Sequence, residues 1–264
     1  MPITRPYFRT CRQFTDGHYS HGGKARYIED SRFAKDGEHY VRGLELIQKD
    51  LLALFDFIEP DDKNKDTYSY RTHALHMRTA IEVEANCKAI LTENGFVKRD
   101  PQTGRPLLKR NGDPADWDMG DFRALQRTHR LSDYEIMLPV WKGPAATKTR
   151  RPFGPWANAT GNSLPWWNAY NHAKHDRHEK FESANFANLL DAVCALVAIL
   201  SAQFHRYDFS PGPTLLAFGS GAPVGFDGAI GGYFWVHFPT WPAAEQYDFQ
   251  WDHNNPGTFQ QLPL

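Results

Sequence analysis

Residues 183–205 read SANFANLLDAVCALVAILSAQFH. Phe186, Leu189, Leu190, Val193, Leu196, Val197, Leu200 and Phe204 recur at steps of three and four, so a helix here carries an almost complete apolar face. A helix of that kind needs other helices to cover it. Val41, Leu44, Ile47, Leu51, Leu54 and Ile58 form a second stripe, which predicts a helix over 38–58 ended by Pro60 and the charged run Asp61 to Asp66. A helix is expected over 70–94, with Gly95 as its stop and Leu75, Ile81, Ala85, Ala89 and Ile90 buried. The fourth, 166–180, takes Ser163 as N-cap and places Pro165 just inside its start, where a missing N–H costs little. The fold class is therefore mainly α, a helical bundle of four or more helices.

The remaining chain divides around these helices. Residues 1–36 show no period and read as an irregular N-terminal arm. Residues 37–207 hold the helical domain, interrupted by an irregular insert over 98–161 in which Pro101, Gly104, Pro106, Gly112 and Pro114 mark turns. An insert this long without structure is either functional or mobile. Within it, Tyr134 to Leu138 alternates weakly and reads as a short strand, followed by the basic group Lys148, Arg150 and Arg151. Residues 208–264 form a Gly/Pro-rich tail. Tyr233 to Phe238 reads there as a strand that pairs with Tyr247 to Trp251 as a small C-terminal β hairpin.

Composition narrows the function. A chain of 264 residues with formal net charge −1 has no global basic field for nucleic acid, although a local basic groove is compatible with that balance. Three widely spaced cysteines argue against a disulfide framework, and Cys87 and Cys194 fall in apolar helical patterns that suit small core residues. The first residues lack the apolar segment of a signal peptide, and the longest apolar stretch, 192–200, is short for a bilayer span. A cytoplasmic location with no membrane partner is the expectation. No GxxxxGK[ST], GxGxxG or GxSxG pattern is present, and no cofactor is expected. The Gly-rich stretch 219–232 has no following helix and reads as turns.

Most of the distinctive polar chemistry lies in the helix over 166–180. Asn171, Lys174, His175 and His178 stand three, four and seven residues apart and share one helix face. Imidazole titrates near neutrality, which suits His175 to proton transfer. Lys174 and Arg177 suit a phosphate, and Asn171 suits orienting the imidazole or bonding a ligand. The alternative is a solvated polar helix. His172, His175 and His178, with His73 and His76 on the second helix, have spacings seen in metal sites, but HExxH, CxxC and Glu-x-x-His are all missing, and no metal is expected. On the second helix, Arg78 and Glu82 are spaced to pair with each other, and Glu84 lies roughly 200° from Glu82 around the axis, so one carboxylate is free to reach His175 or Arg177. Either these groups bind a ligand or they form a salt bridge at the rim of the core. Trp156, Trp166, Trp167 and Tyr170 either stack on a base or pack.

Residues 78–90, RTAIEVEANCKAI, and 166–177, WWNAYNHAKHDR, followed by the apolar helix, resemble the HEPN superfamily, helical proteins of bacterial conflict and defence systems. The likeness covers about half the chain, in its four long helices. Many HEPN proteins are metal-independent ribonucleases with an Arg, a polar residue, a short spacer and a His, two copies meeting across a dimer. The resemblance implies that Asn171 matches the polar residue and His175 the histidine, with Tyr170 standing at the Arg position, and that the chain forms a homodimer. Branches without the Arg act as binding or scaffold modules. The expectation is a binding or regulatory module for RNA, nucleotide or a protein partner, in defence or stress. The alternatives are a metal-independent endoribonuclease using His175 with Asn171, Lys174 and Arg177, and a structural network joining Asp176 and Arg177 to the carboxylates of the second helix.

Overall fold

The computed structural model describes residues 1–19, 23–158, 163–209, 224–252, 254 and 257–264. Among the described residues eight α-helices follow one another: α1 (Gly37–Phe55), α2 (Tyr70–Glu93), α3 (Met119–Phe122), α4 (Ala124–His129), α5 (Ala145–Lys148), α6 (Pro165–His175), α7 (Arg177–Lys180) and α8 (Phe186–Phe204). Four short strands, β1 (Glu135–Met137), β2 (Thr149–Arg150), β3 (Asp227–Gly228) and β4 (Trp235–His237), form one antiparallel sheet in the order β2-β1-β4-β3. The protein is mainly helical, with a small sheet.

Helix α8 is the centre. Sixteen of its nineteen residues are buried, so it is apolar all round and packs against α1, α2 and α6. By length and composition it would also cross a membrane, but 83% of its most apolar window is buried inside the protein. Its one charged side chain, Asp191, is answered by Arg150 of β2 at 2.6 Å. Helix α1 buries Val41, Leu44, Ile47, Leu51 and Leu54, the stripe read from the sequence, and ends at Phe55, before Ile58. Helix α2 opens on Ser69, whose hydroxyl accepts from the Thr72 N–H at 3.1 Å. It closes in a Schellman turn: Gly95 is left-handed at φ 67°, its N–H donates to Thr92 O at 3.1 Å, and the Phe96 N–H donates to Leu91 O at 2.9 Å. Ile81, expected inside, is 51% exposed.

Three expectations are corrected. Tyr247 to Trp251 does not pair with Tyr233 to Phe238. Instead β4 lies between β1 and β3, with Ile136 opposite Val236 and Asp227 opposite Val236 on the other side, and Tyr247 bridges Ile3 and Phe14. The hairpin that does form is β3–β4. Ser163 is not the N-cap of α6; Leu164 holds that place without a side-chain cap, and the Ser163 hydroxyl accepts from Asn168 Nδ2 at 2.5 Å. The helix over 166–180 is broken at Asp176, at φ −135° and ψ 45°. From His172 to Lys180 only Ala173 is apolar, so the helix stops where its buried stripe stops. Phe181 then turns back onto Tyr68, Tyr70 and His73, with ring centroids at 6.0, 4.8 and 5.2 Å.

The segments outside the helices share their core. Phe14, Tyr27 and Phe33 of the arm, Leu131, Tyr134 and Ile136 of the insert, and Phe234, Val236 and Tyr247 of the tail belong to one buried cluster with α8. The insert is anchored to the loop after α1, where the Asp62 carboxylate accepts from Trp141 Nε1 at 3.2 Å and from the Thr147 hydroxyl at 2.9 Å. The weakly alternating stretch read near 134–138 is β1. The first part of the stretch 219–232, read as turns, lies outside the described residues.

Candidate functional site

Helix α6 is held on one side by aromatic rings. Trp166, Trp167, Ala169, Tyr170 and Ala173 are buried at helical spacing. The Trp166 indole donates to Pro152 O at 3.0 Å and its ring lies edge-on to Phe153, centroids 6.0 Å apart. Trp167 and Tyr170 follow at 4.8 Å. His76 of α2 donates from Nε2 to the Trp166 carbonyl at 3.0 Å, while burial pushes this imidazole down to about 4 and so keeps it neutral. Trp167, 8% exposed, and Tyr170, 2% exposed, are thus packing residues; neither presents a ring face to a ligand.

The other side of α6 faces solvent. Asn171 is half-buried; His172, Lys174 and His175 are exposed. Lys174 Nζ stands 5.4 Å from the Tyr170 ring centroid, a cation–π distance that steadies the ammonium without neutralising it. Among the described residues no hydrogen-bond partner meets His175, so none of them orients its imidazole. It sits in the last turn, where backbone carbonyls carry partial negative charge and favour cations. Arg177 and His178 belong to α7, beyond the break. His178 Nε2 lies 3.8 Å from Glu179 Oε1, with the two side chains 96% and 70% exposed. Asn171, Lys174 and His175 thus share α6, whereas Arg177 and His178 stand on α7 beyond the break. Around them, Lys174, Arg177 and Lys180 set three fixed cations against Asp176 and Glu179.

The α2 residues do not join this group. Arg78 pairs with Asp50 of α1 at 2.6 Å and not with Glu82. Glu82 lies against Gly43 of α1, where an added Cβ would meet its Oε2 at 3.0 Å. Glu84 pairs with Lys88 at 2.6 Å. Neither carboxylate touches His175 or Arg177. His73 and His76 diverge, His73 onto Phe181 and His76 onto Trp166, and among the described residues no group of three or more His, Cys, Asp or Glu side chains is placed to hold a metal ion. The basic group also disperses: Arg150 binds Asp191, and Arg151 lies 3.7 Å from Glu135.

Sequence reasoning passed over Arg123, Arg127 and Arg130, which line a cavity of about 630 Å³ beside Trp156. Their spacing of four and then three was legible as one helix face, but α3 and α4 are too short to show a period that would have drawn attention to it. No family model, no curated protein and no solved structure matches the chain.

Proposed function

We propose that the chain is a HEPN-like binding or regulatory module, and that the exposed end of α6 is its recognition surface for RNA or nucleotide phosphate. The observation that carries this reading is the Asn171, Lys174 and His175 group: among the described residues none of the three has a hydrogen-bond or ion-pair partner, Lys174 only resting over the Tyr170 ring, on a helix held by Trp166, Trp167 and Tyr170. Donors open to solvent on a helix whose backbone is held by packing suit phosphate oxygens. The mutual packing of α1, α2, α6 and α8 agrees with a HEPN-like bundle. A second copy would set another α6 end beside the first, as in the HEPN dimer.

Binding is favoured over cleavage for two reasons. Tyr170 occupies the position where the family's nucleases carry Arg and is 2% exposed, so the guanidinium that would stabilise charge on the phosphoryl oxygens is replaced by a buried phenol. Arg177, the nearest guanidinium in sequence, lies past the helix break. The second reading, a metal-independent endoribonuclease, is favoured by the exposure of His175 one helical turn after Asn171. In that reaction His175 would take the proton of a ribose 2′-hydroxyl. The oxygen would attack phosphorus and the 5′-oxygen would leave, giving a 2′,3′-cyclic phosphate. RNA incubated in EDTA with wild type and His175→Ala decides between them. Intact RNA with both proteins is expected. Cleavage by wild type that the variant abolishes would establish the nuclease.

A further inference from the structure

The cavity beside Trp156 is lined by Arg123 and Arg127, on and next to α4, and by Arg130 just after it. At about 630 Å³ it falls within the roughly 300–1,000 Å³ of small-molecule sites. Its lining is rich in donors. Arg123 Nη2 donates to the carbonyl of Asn158 at 2.5 Å, and Arg127 Nη2 donates to the carbonyl of Pro263. Arg127 has no carboxylate partner among the described residues. Arg130 is bound by Asp133 at 2.7 Å, and Glu245, the other acid of the lining, lies 3.7 Å from Arg12. The guanidinium of Arg127 is thus solvated by a carbonyl but not neutralised.

Trp156 lines the same cavity, is 2% exposed, and has an indole N–H that is buried with no acceptor. That nitrogen is out of reach of solvent, so the donors the cavity offers are the guanidinium groups of its lining. The complement of guanidinium groups is an oxyanion.

We propose that this cavity is an anion site for a phosphorylated small molecule of nucleotide size, with Arg127 and Arg123 on the phosphate oxygens. The site is separate from the α6 surface, and neither proposal depends on the other. Calorimetric titration of the full chain with inorganic pyrophosphate, adenosine monophosphate and adenosine tests it. Pyrophosphate and the monophosphate should bind and adenosine should not. Arg127→Gln should weaken both by about tenfold, the size of one lost charge-assisted bond. Bound pyrophosphate should also shield Arg127 of the wild type from phenylglyoxal, read by mass spectrometry, which serves should the variant not fold. No binding by wild type, or no protection of Arg127, would overturn the proposal. Loss of pyrophosphate binding in Lys174→Ala would also overturn it and assign the anion to α6.

Discussion

His76, His129 and His205 are imidazoles sealed in the interior, and burial pushes them down from an ordinary 6.5 to about 4, about 4 and about 3. Each is neutral when folded. His76 Nδ1 and His205 Nδ1 are buried without partners, so a proton arriving there would find no acceptor. The unfolded chain takes up protons as pH falls through 6.5, whereas the folded chain refuses them until about 4. Stability is therefore full above pH 6.5 and is lost progressively between 6.5 and 4. The expected outcome is a urea midpoint that falls steadily from pH 7 to pH 5, with a shallower fall in His205→Phe. An unchanged midpoint over that range would contradict the assignment. None of this was readable beforehand, because a buried histidine and an exposed one are the same letter. The sequence grouped His172, His175 and His178 by spacing alone, and the structure leaves all three exposed.

At the scale of elements, helices α1, α2, α6 and α8 were legible to within a few residues, because each is long enough to repeat its buried stripe several times. The four residues of α3 and six of α4 complete too few turns to show one, and what sets α3 is the capping box of Asp118 and Asp121. The strands failed for a related reason. Three residues barely display alternation, and the partner of β4 lies about a hundred positions away in β1, out of reach of any local pattern. The end of α6 was overrun because His, Lys, Arg and Glu tolerate helix well; the break at Asp176 comes from lost burial rather than from a breaker residue. The anchoring face of α6 gives a prediction of its own. Trp166→Ala removes a ring that is 1% exposed and should cost about 3–5 kcal/mol, read as a lowered urea midpoint. A cost below about 1 kcal/mol, the scale of ordinary surface changes, would mean that α6 is not fixed by its aromatic side.

At the scale of the whole molecule, the arm, insert and tail are bound into the helical core by polar ties as well as by packing. Arg9 of the arm is 1% exposed. Its Nε meets Glu93 of α2 at 2.5 Å, its Nη1 donates to Gln203 of α8 at 3.0 Å, Nη2 donates to the Lys35 carbonyl, and the guanidinium lies 4.6 Å from the Tyr40 ring centroid. Gln203 passes the chain of bonds to Asn86 at 2.9 Å. Tail and arm meet where the Tyr247 hydroxyl donates to Thr10 O at 2.7 Å, and Gln48 of α1 donates to Gly231 O at 2.8 Å, at a left-handed glycine where an added Cβ would meet Gln48 Oε1 at 2.9 Å. Arg9→Ala should therefore destabilise by about 3–5 kcal/mol, the usual result of stripping one partner from a buried ion pair, with hydrogen exchange accelerated in both the arm and the end of α2. Exchange confined to residues near position 9 would show that the arm is not tied to the bundle. Most of these ties join residues more than eighty positions apart, which is why the arm carried no visible period yet is packed.

The claim that the end of α6 is a recognition surface is tested most directly by fluorescence anisotropy of single-stranded RNA titrated with wild type and with the Lys174→Ala/His175→Ala double variant over a series of salt concentrations. The account predicts binding by wild type, weakened about tenfold in the variant, with the salt slope reduced by about 1 for the lost lysine–phosphate contact. Equal affinity and equal slope for the two proteins, or no binding by wild type, would contradict it.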